Sequence, residues 1–256
     1  MILIITYTRK ILFLFLIILS FSKCYGKTFS VVVGVSKYDN PESNLHYAAK
    51  DAAEFFSYLK LNEPLSELVL ITDEDATKST ILAYLKQKFS LATENDKVIF
   101  FFSGHGAPGK FVCYDSPNGG NYLTHDDVKA VFKSCKAKTK LCIADACFSG
   151  SIRKSKAEYA KSKVDTNSLK AIKEFELIVF MSSQPWQTSL EKGSLGQGVF
   201  TFYVIEALKG NADSDKSGQI SAKELYVYVR KNVMAASENK QTPIMFGKFD
   251  PEVTVK

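Results

Sequence analysis

The sequence is short of the residues that build metal centres and disulfide frameworks. Its 256 residues hold 3 histidines and 5 cysteines, and no two cysteines form a C-x-x-C pair. His46, His105 and His125 are scattered, which disfavours a zinc site. Glycine (14) and proline (7) are too few for a collagenous or low-complexity chain. No G-x-S-x-G occurs, which removes the serine-nucleophile elbow. No apolar run reaches the roughly 20 residues of a membrane-spanning helix. A charged surface for nucleic acid is also lacking, although the net charge is +6. Residues 1–26 carry Arg9, Lys10 and Lys23 with no acid. Residues 151–170 carry six Lys or Arg against Glu158 and Asp165. Taking that +3 and +4 from +6 leaves the body at −1, too little for a basic nucleic-acid-binding domain.

What is present begins with an address. Arg9 and Lys10 precede the apolar run 11–19, and Cys24-Tyr25-Gly26 places small residues at the −3 and −1 positions of a cut. This pattern predicts a secretory signal peptide over 1–26, removed after Gly26, and an exported body over 27–256. An uncleaved anchor is the alternative, and Lys23 is a poor neighbour for a lipid on Cys24. After cleavage Cys113, Cys135, Cys142 and Cys147 remain. A disulfide among the first three is open to an exported chain, but Cys142 in a strand-like run reads as a buried thiol.

The body alternates strands with helices. Apolar runs predict strands over 28–35, 68–71, 97–103, 140–144 and 176–181, with hairpin pieces around 111–114 and 121–122. Apolar stripes predict helices over 44–60, 77–89, 199–209 and 221–236, and Thr124 caps another with Asp126 and Asp127 in its first turn. The expected class is α/β, a mostly parallel sheet with helices on both faces. Active sites of such sheets lie beyond the carboxyl ends of the strands. Two reactive residues stand there: His105 in Ser103-Gly-His-Gly106, and Cys147 in Asp145-Ala-Cys-Phe-Ser-Gly150. A thiol with a pKa of roughly 8.5 is mostly protonated at neutral pH, so it needs a base. His105 can take the proton and return it to a leaving amine, and the Gly106 amide lies beside the reacting atoms. His46 and His125 read as surface or edge residues.

At these motifs the chain resembles the caspase-like cysteine peptidases, nearest the metacaspases and bacterial caspase homologues, with a more distant likeness to legumain. The matching pieces are Val32-Val-Gly-Val35, Tyr47-Ala-Ala-Lys-Asp-Ala52, Phe101-Phe-Ser-Gly-His-Gly106, Asp145-Ala-Cys-Phe-Ser-Gly150, Gln184-Pro-Trp-Gln-Thr-Ser189 and Gly198-Val-Phe-Thr201. The resemblance implies a caspase-like three-layer sandwich, His105 as base and Cys147 as nucleophile. It also implies an oxyanion hole from the amides of Gly106 and Cys147, and no cofactor for the dyad. Phe148 stands where metacaspases commonly have histidine, and Asp145 where animal caspases have glutamine.

Asp145 lies two residues before the nucleophile, close enough to line the pocket for the side chain next to the cut, where a carboxylate attracts Arg or Lys. The resemblance adds Asp51 and Ser103 as pocket walls and Ser182, Ser183 and Gln187 at its rim. For Asp51 a solvated helix charge is the plainer alternative. The expected partners are therefore protein or peptide substrates with basic residues, and not nucleic acid. The basic stretch 151–170 reads as an exposed loop open to self-cleavage within 153–163. Two rival readings are an inactive caspase-fold scaffold and a legumain-like enzyme cutting after Asn. Finally, residues 213–224 follow the twelve-residue EF-hand spacing, with Asp213, Asp215, Ser217, the Gln219 carbonyl and Glu224 as candidate Ca2+ ligands. Lys216 opposes a cation there, and an ion-free turn is the alternative.

Overall fold

A computed structural model describes residues 26–116, 120–146 and 176–256. Its centre is a six-stranded sheet. The strands are β1 (Thr28–Gly34), β2 (Ser66–Thr72), β3 (Lys97–Gly104), β7 (Thr139–Ala146), β8 (Ile178–Met181) and β11 (Ile244–Phe246), in the order β11-β8-β7-β3-β1-β2. All neighbours are parallel except β11, which runs antiparallel to β8. Strands buried on both faces need apolar residues at every position. All seven residues of β1 are buried, as are Val98 to Gly104 of β3.

The two-residue period of a strand sends alternate side chains to opposite layers. Val31, Val33, Phe100 and Phe102 face α2 (Lys78–Ser90) and α3 (His125–Ser134), where Ile81, Leu85, Phe89, Val131 and Phe132 meet them. Val32, Ile99, Phe101, Ile143 and Phe180 face the other way. They pack on α1 (Ala48–Asn62), α4 (Val199–Glu206) and α5 (Ala222–Ala236) through Phe55, Leu59, Phe200, Leu225 and Val229. The result is the expected three-layer sandwich. Short strands β4 (Gly106–Ala107), β5 (Lys110–Phe111) and β6 (Leu123–Thr124) form a small sheet after β3, and β9 (Glu191–Lys192) pairs with β10 (Gln197–Gly198). Among the described residues no helix is long and apolar enough to cross a membrane.

Several expected boundaries move, each for a local reason. Helix α1 starts at Ala48 rather than Asn44. The Asn44 side chain accepts the Tyr38 amide (2.9 Å), and Leu45 N–H is spent on the Ser36 carbonyl (2.8 Å). Helix α4 stops at Glu206 and continues as a wider turn over Ala207–Asn211, closed by Gly210 at φ 114°. Strand β11 gave no periodic signal because it is three residues long. The capping box of Thr124 and Asp127 at α3 is as expected. His125, expected at a surface or edge, is half-buried: its ring packs on Phe111 at 4.9 Å, and burial pushes its pKa down to about 4. Cys113, Cys135 and Cys142 are buried free thiols, so none of them is disulfide-bonded. Residues 1–25, Cys147 and the basic stretch 151–170 lie outside the described residues.

Candidate active site

Strands β3 and β7 run in register, with Ser103 opposite Asp145 and Gly104 opposite Ala146. His105 is the residue after that last pair on β3, and Cys147 follows Ala146, the last residue of β7, in the sequence. Parity places Ser103 and Asp145 on the same face as Phe101 and Ile143, toward α1 and α4.

The loop after β1 holds His105 from three directions. Its backbone N–H donates to the Tyr38 hydroxyl (2.7 Å), and its ring lies 5.1 Å from the Tyr38 ring. Its Nε2 is 2.7 Å from the Ser43 carbonyl. A carbonyl only accepts, so Nε2 carries the hydrogen and Nδ1 is left with a lone pair, the arrangement a general base requires. Gly104 is required here. A side chain on it would meet the Tyr38 hydroxyl at 3.0 Å, and its φ of 158° lies at the edge of the range where a β-carbon is strained.

Beside His105 sit two buried carboxylates. Asp51, in the first turn of α1, is 2% exposed and accepts from the Ser103 hydroxyl (3.0 Å) and from Gly198 N–H (2.9 Å). Asp145 is 5% exposed. It accepts from the Ser189 hydroxyl, from Thr201 N–H (3.1 Å) and from the Thr201 hydroxyl (2.7 Å). Both carboxylates thus meet the amino end of α4, where exposed N–H groups favour negative charge. A methyl group placed on Gly198 would stand 2.6 Å from Asp145 Oδ2 and 2.7 Å from Asp51 Oδ2, so the two flank a single point. Neither forms an ion pair with a Lys or Arg among the described residues. Burial, and next the charge of Asp145, raise the Asp51 pKa above its ordinary 3.8. Burial also raises that of Asp145, against the donors of Ser189 and Thr201.

One cleft of about 90 Å³ joins these parts, with Leu45, Asp51, Ser103, His105, Asp145 and Ser189 in its walls. The structure therefore brings together His105, Asp51, Ser103 and Asp145, and seats Gly106 in β4 directly after the histidine. Ser182 and Ser183 are fully buried, behind the cleft rather than at a rim: their hydroxyls bond to the carbonyls of Ala146 (3.4 Å) and Gln187 (3.2 Å), and Ser182 also acts on Asp145 as a side-chain hydrogen-bond partner. Sequence reasoning missed Tyr38, the Ser43 carbonyl, Thr201 and Glu191. The Glu191 carboxylate caps α1 from outside by accepting His46 N–H (3.2 Å) and Tyr47 N–H (2.7 Å). Ser189 and Thr201 ended motifs already noticed, but nothing in the motifs said that their hydroxyls meet Asp145.

The profile of the Caspase domain family matches residues 27–252. The chain belongs to that family. It is 26% identical over 153 residues to Metacaspase-1 of Ajellomyces capsulatus, covering 51% of this chain and 43% of that protein. It is 23% identical over 224 residues to Metacaspase-1 of Kluyveromyces lactis, covering 78% of this chain and 51% of that protein. The caspase-domain chain thus spans about half or less of these metacaspases. In fold it is similar to the crystal structure of protein GSU0716 from Geobacter sulfurreducens (TM-score 0.63, 16% identity, 88% of this chain and 94% of that one).

The acidic loop of this caspase domain lies at the other end of the sheet. Ile220 bonds to Val255 and Lys256, and the Val255 carbonyl accepts from Lys97 at the start of β3. Asp213, Asp215 and Glu224 bring carboxylate oxygens within 4.8 Å of one another. Ser217 and Gln219 do not join them through their side chains. The Ser217 hydroxyl turns to the Gln219 carbonyl (3.2 Å), and Gln219 Oε1 accepts from Thr254 (3.1 Å). Amides of Ser217 and Gly218 cap Asp213 (3.0 and 2.8 Å). Donors from Ser221 and Ser214 hold Glu224 down at about 2. Glu224 also closes the capping box of α5 with Ser221.

Proposed function

We propose that this protein is an exported cysteine endopeptidase that cuts peptide bonds after Arg or Lys. The observation that carries the reading is the cleft, where a histidine tethered through Nε2 faces the same space as two buried carboxylates that pair with no Lys or Arg among the described residues. In this reading Cys147 Sγ gives its proton to Nδ1 of His105, and the thiolate attacks the substrate carbonyl carbon. The amides of Gly106 and Cys147 receive the oxyanion. As the carbon–nitrogen bond breaks, the imidazolium returns the proton to the departing amine, leaving a thioester. The same imidazole then deprotonates a water that cleaves the thioester, and the thiol and a free carboxyl group are restored. Asp51 and Asp145 hold the guanidinium or ammonium of the residue before the cut, and they repel an acidic one.

Three further parts complete the reading. The segment 1–26 directs export and is cut after Gly26. The basic stretch 151–170 offers the enzyme cleavage sites of its own. The 213–224 loop takes Ca2+ on Asp213, Asp215, Ser217, the Gln219 carbonyl and Glu224. Its three clustered carboxylates support this, and rotation of the Ser217 hydroxyl completes the set.

A positional peptide library tests the whole, run on wild type and Cys147→Ala with and without calcium, with amino-terminal sequencing of the protein's own fragments. Hydrolysis after Arg and Lys, absent in Cys147→Ala, is the expected result. Preference for Asp would sink the basic pocket, and preference for Asn would turn the reading to a legumain-like enzyme. A Cys147 no more reactive to a thiol probe than an exposed cysteine would mark an inactive scaffold. Identical fragments from both proteins would end self-processing, and calcium titration unchanged by Asp213→Ala would end the ion site.

A further inference from the structure

Gln241 lies between α5 and β11, outside the cleft and with 0% exposure. Every hydrogen-bonding atom of its side chain is spent. Oε1 accepts from Leu190 N–H (3.0 Å), and Nε2 donates to the Ser182 carbonyl (2.9 Å) and to Ser189 Oγ (3.2 Å). The last of these decides a direction. A serine hydroxyl carries one hydrogen, and Ser189 Oγ also contacts Asp145 Oδ1. Gln241 occupies one lone pair of that oxygen, and an ionised Asp145 can only accept, so the single hydrogen of Ser189 is directed at the carboxylate. The other carboxylate oxygen is met by two donors from Thr201. Among the described residues Asp145 is met by donors from Ser189 and Thr201, which favour its ionised form against the cost of burial.

We propose that Gln241 is a positioning residue for the basic-side-chain pocket: its amide fixes Ser189 as a donor, and Ser189 keeps Asp145 charged and aimed into the cleft. The inference rests on the reading of Asp51 and Asp145 as that pocket. A glutamine is suited to the task because its donor and acceptor faces differ. The acceptor face holds the backbone of the wall 188–191, and the donor face orients Ser189. The nearly isosteric glutamate presents only acceptors when ionised. It would turn the Ser189 hydroxyl away from Asp145.

The test uses the full chain and two matched peptides, with Arg or the uncharged, similarly shaped citrulline before the cut. Gln241→Glu is expected to raise KM for the Arg peptide at least tenfold while kcat stays within threefold. KM for the citrulline peptide and the rate of Cys147 alkylation by iodoacetamide should move less than threefold. Ser189→Ala should act in the same way. Gln241→Glu placed on the Ser189→Ala background should add less than threefold, since both act through one hydroxyl. A merely structural Gln241 would lower kcat for both peptides alike and add fully to Ser189→Ala, and either result overturns the proposal. If Gln241→Glu does not fold, Gln241→Met against Ser189→Ala decides by the same criteria. A wild-type enzyme that treats Arg and citrulline equally would remove the pocket reading and this inference with it. A retained Arg preference with unmoved variants would remove the inference alone.

Discussion

A buried carboxylate stays ionised only where donors or cations replace the water it has lost. Asp145 has three such donors from Ser189 and Thr201, and Asp51 has two from Ser103 and Gly198. Across a space that one methyl group would fill, two full charges repel, and with burial this raises the Asp51 pKa, while burial raises that of Asp145. The sign of the linkage follows. With its folded pKa above the ordinary 3.8, Asp51 makes the native state bind more protons than the unfolded chain between those two values. That stabilisation is complete below the ordinary value and is lost as pH rises through the raised one. Asp51→Asn removes the loss, because its amide can donate to Asp145 while its oxygen still accepts from Gly198. Urea unfolding at pH 7 should show the variant more stable by about 1–2 kcal/mol, one pKa unit being worth about 1.4 kcal/mol. Near pH 4 the two proteins should be similar. The same variant should lose at least tenfold in KM for Arg peptides, a trade of stability for recognition. For the wild type, KM for such peptides should fall as pH rises through the Asp51 pKa. Equal stability at pH 7 would show that the pair carries no stored repulsion.

At the scale of elements, the site is the product of one register and one close approach. The in-register pairing of β3 with β7 puts Ser103 beside Asp145, and the packing of α4 against α1 brings Gly198 between the acids. Gly198 has an ordinary φ of −61°, so its importance is steric rather than conformational. Gly198→Ala should cost about 1–3 kcal/mol in thermal or urea unfolding, the usual penalty of overpacking. It should also weaken Arg and Lys peptides tenfold or more in KM by filling the point the two carboxylates flank. An unchanged KM would place the cation elsewhere. How much of this was legible in the sequence follows from what each feature depends on. Strands buried on both faces announce themselves by continuous apolar runs such as Val98 to Phe102, and His105 is marked by its place after one of them. The Thr124 cap is a local pattern of three residues and was equally readable. The contacts of Tyr38 with His105 and of Gln241 with Ser189 join residues 67 and 52 apart in sequence. No local period or spacing encodes such pairs. The later start of α1 has the same origin, since Glu191, which caps it, arrives from a hairpin far along the chain.

At the scale of the whole molecule, the charges fall into three parts: a basic segment over 1–26, a basic stretch over 151–170, and a body near neutrality. The cut proposed after Gly26 has a physical counterpart in the fold. Gly26 lies so close to Asn95 that a β-carbon would sit 1.8 Å from its carbonyl oxygen, so the residue that offers a small −1 position for the cut is also one the fold keeps small. One residue on, Lys27 N–H donates to Asp96 Oδ1 at 2.7 Å. Burial opposes ionisation of Asp96, but hydrogen bonds from Thr93 and Lys27 outweigh it and hold its carboxyl below the usual range. A cut after Gly26 would turn that amide into an ammonium already placed on a carboxylate. A chain beginning at Lys27 should then be more stable than one beginning at Gly26 by about 1 kcal/mol at pH 6–7, a modest figure because Lys27 is exposed. The pairing raises the pKa of the new α-amino group above its ordinary value of roughly 8. The advantage should therefore be full below that value and disappear as pH rises through the raised one. Asp96→Asn should abolish the difference between the two chains at every pH. Urea unfolding of the four proteins measures it, and amino-terminal sequencing of the protein from its native source identifies the natural first residue. A first residue other than Lys27, or equal stability of the two chains at pH 6, would end the proposed role of Asp96 in a cut after Gly26.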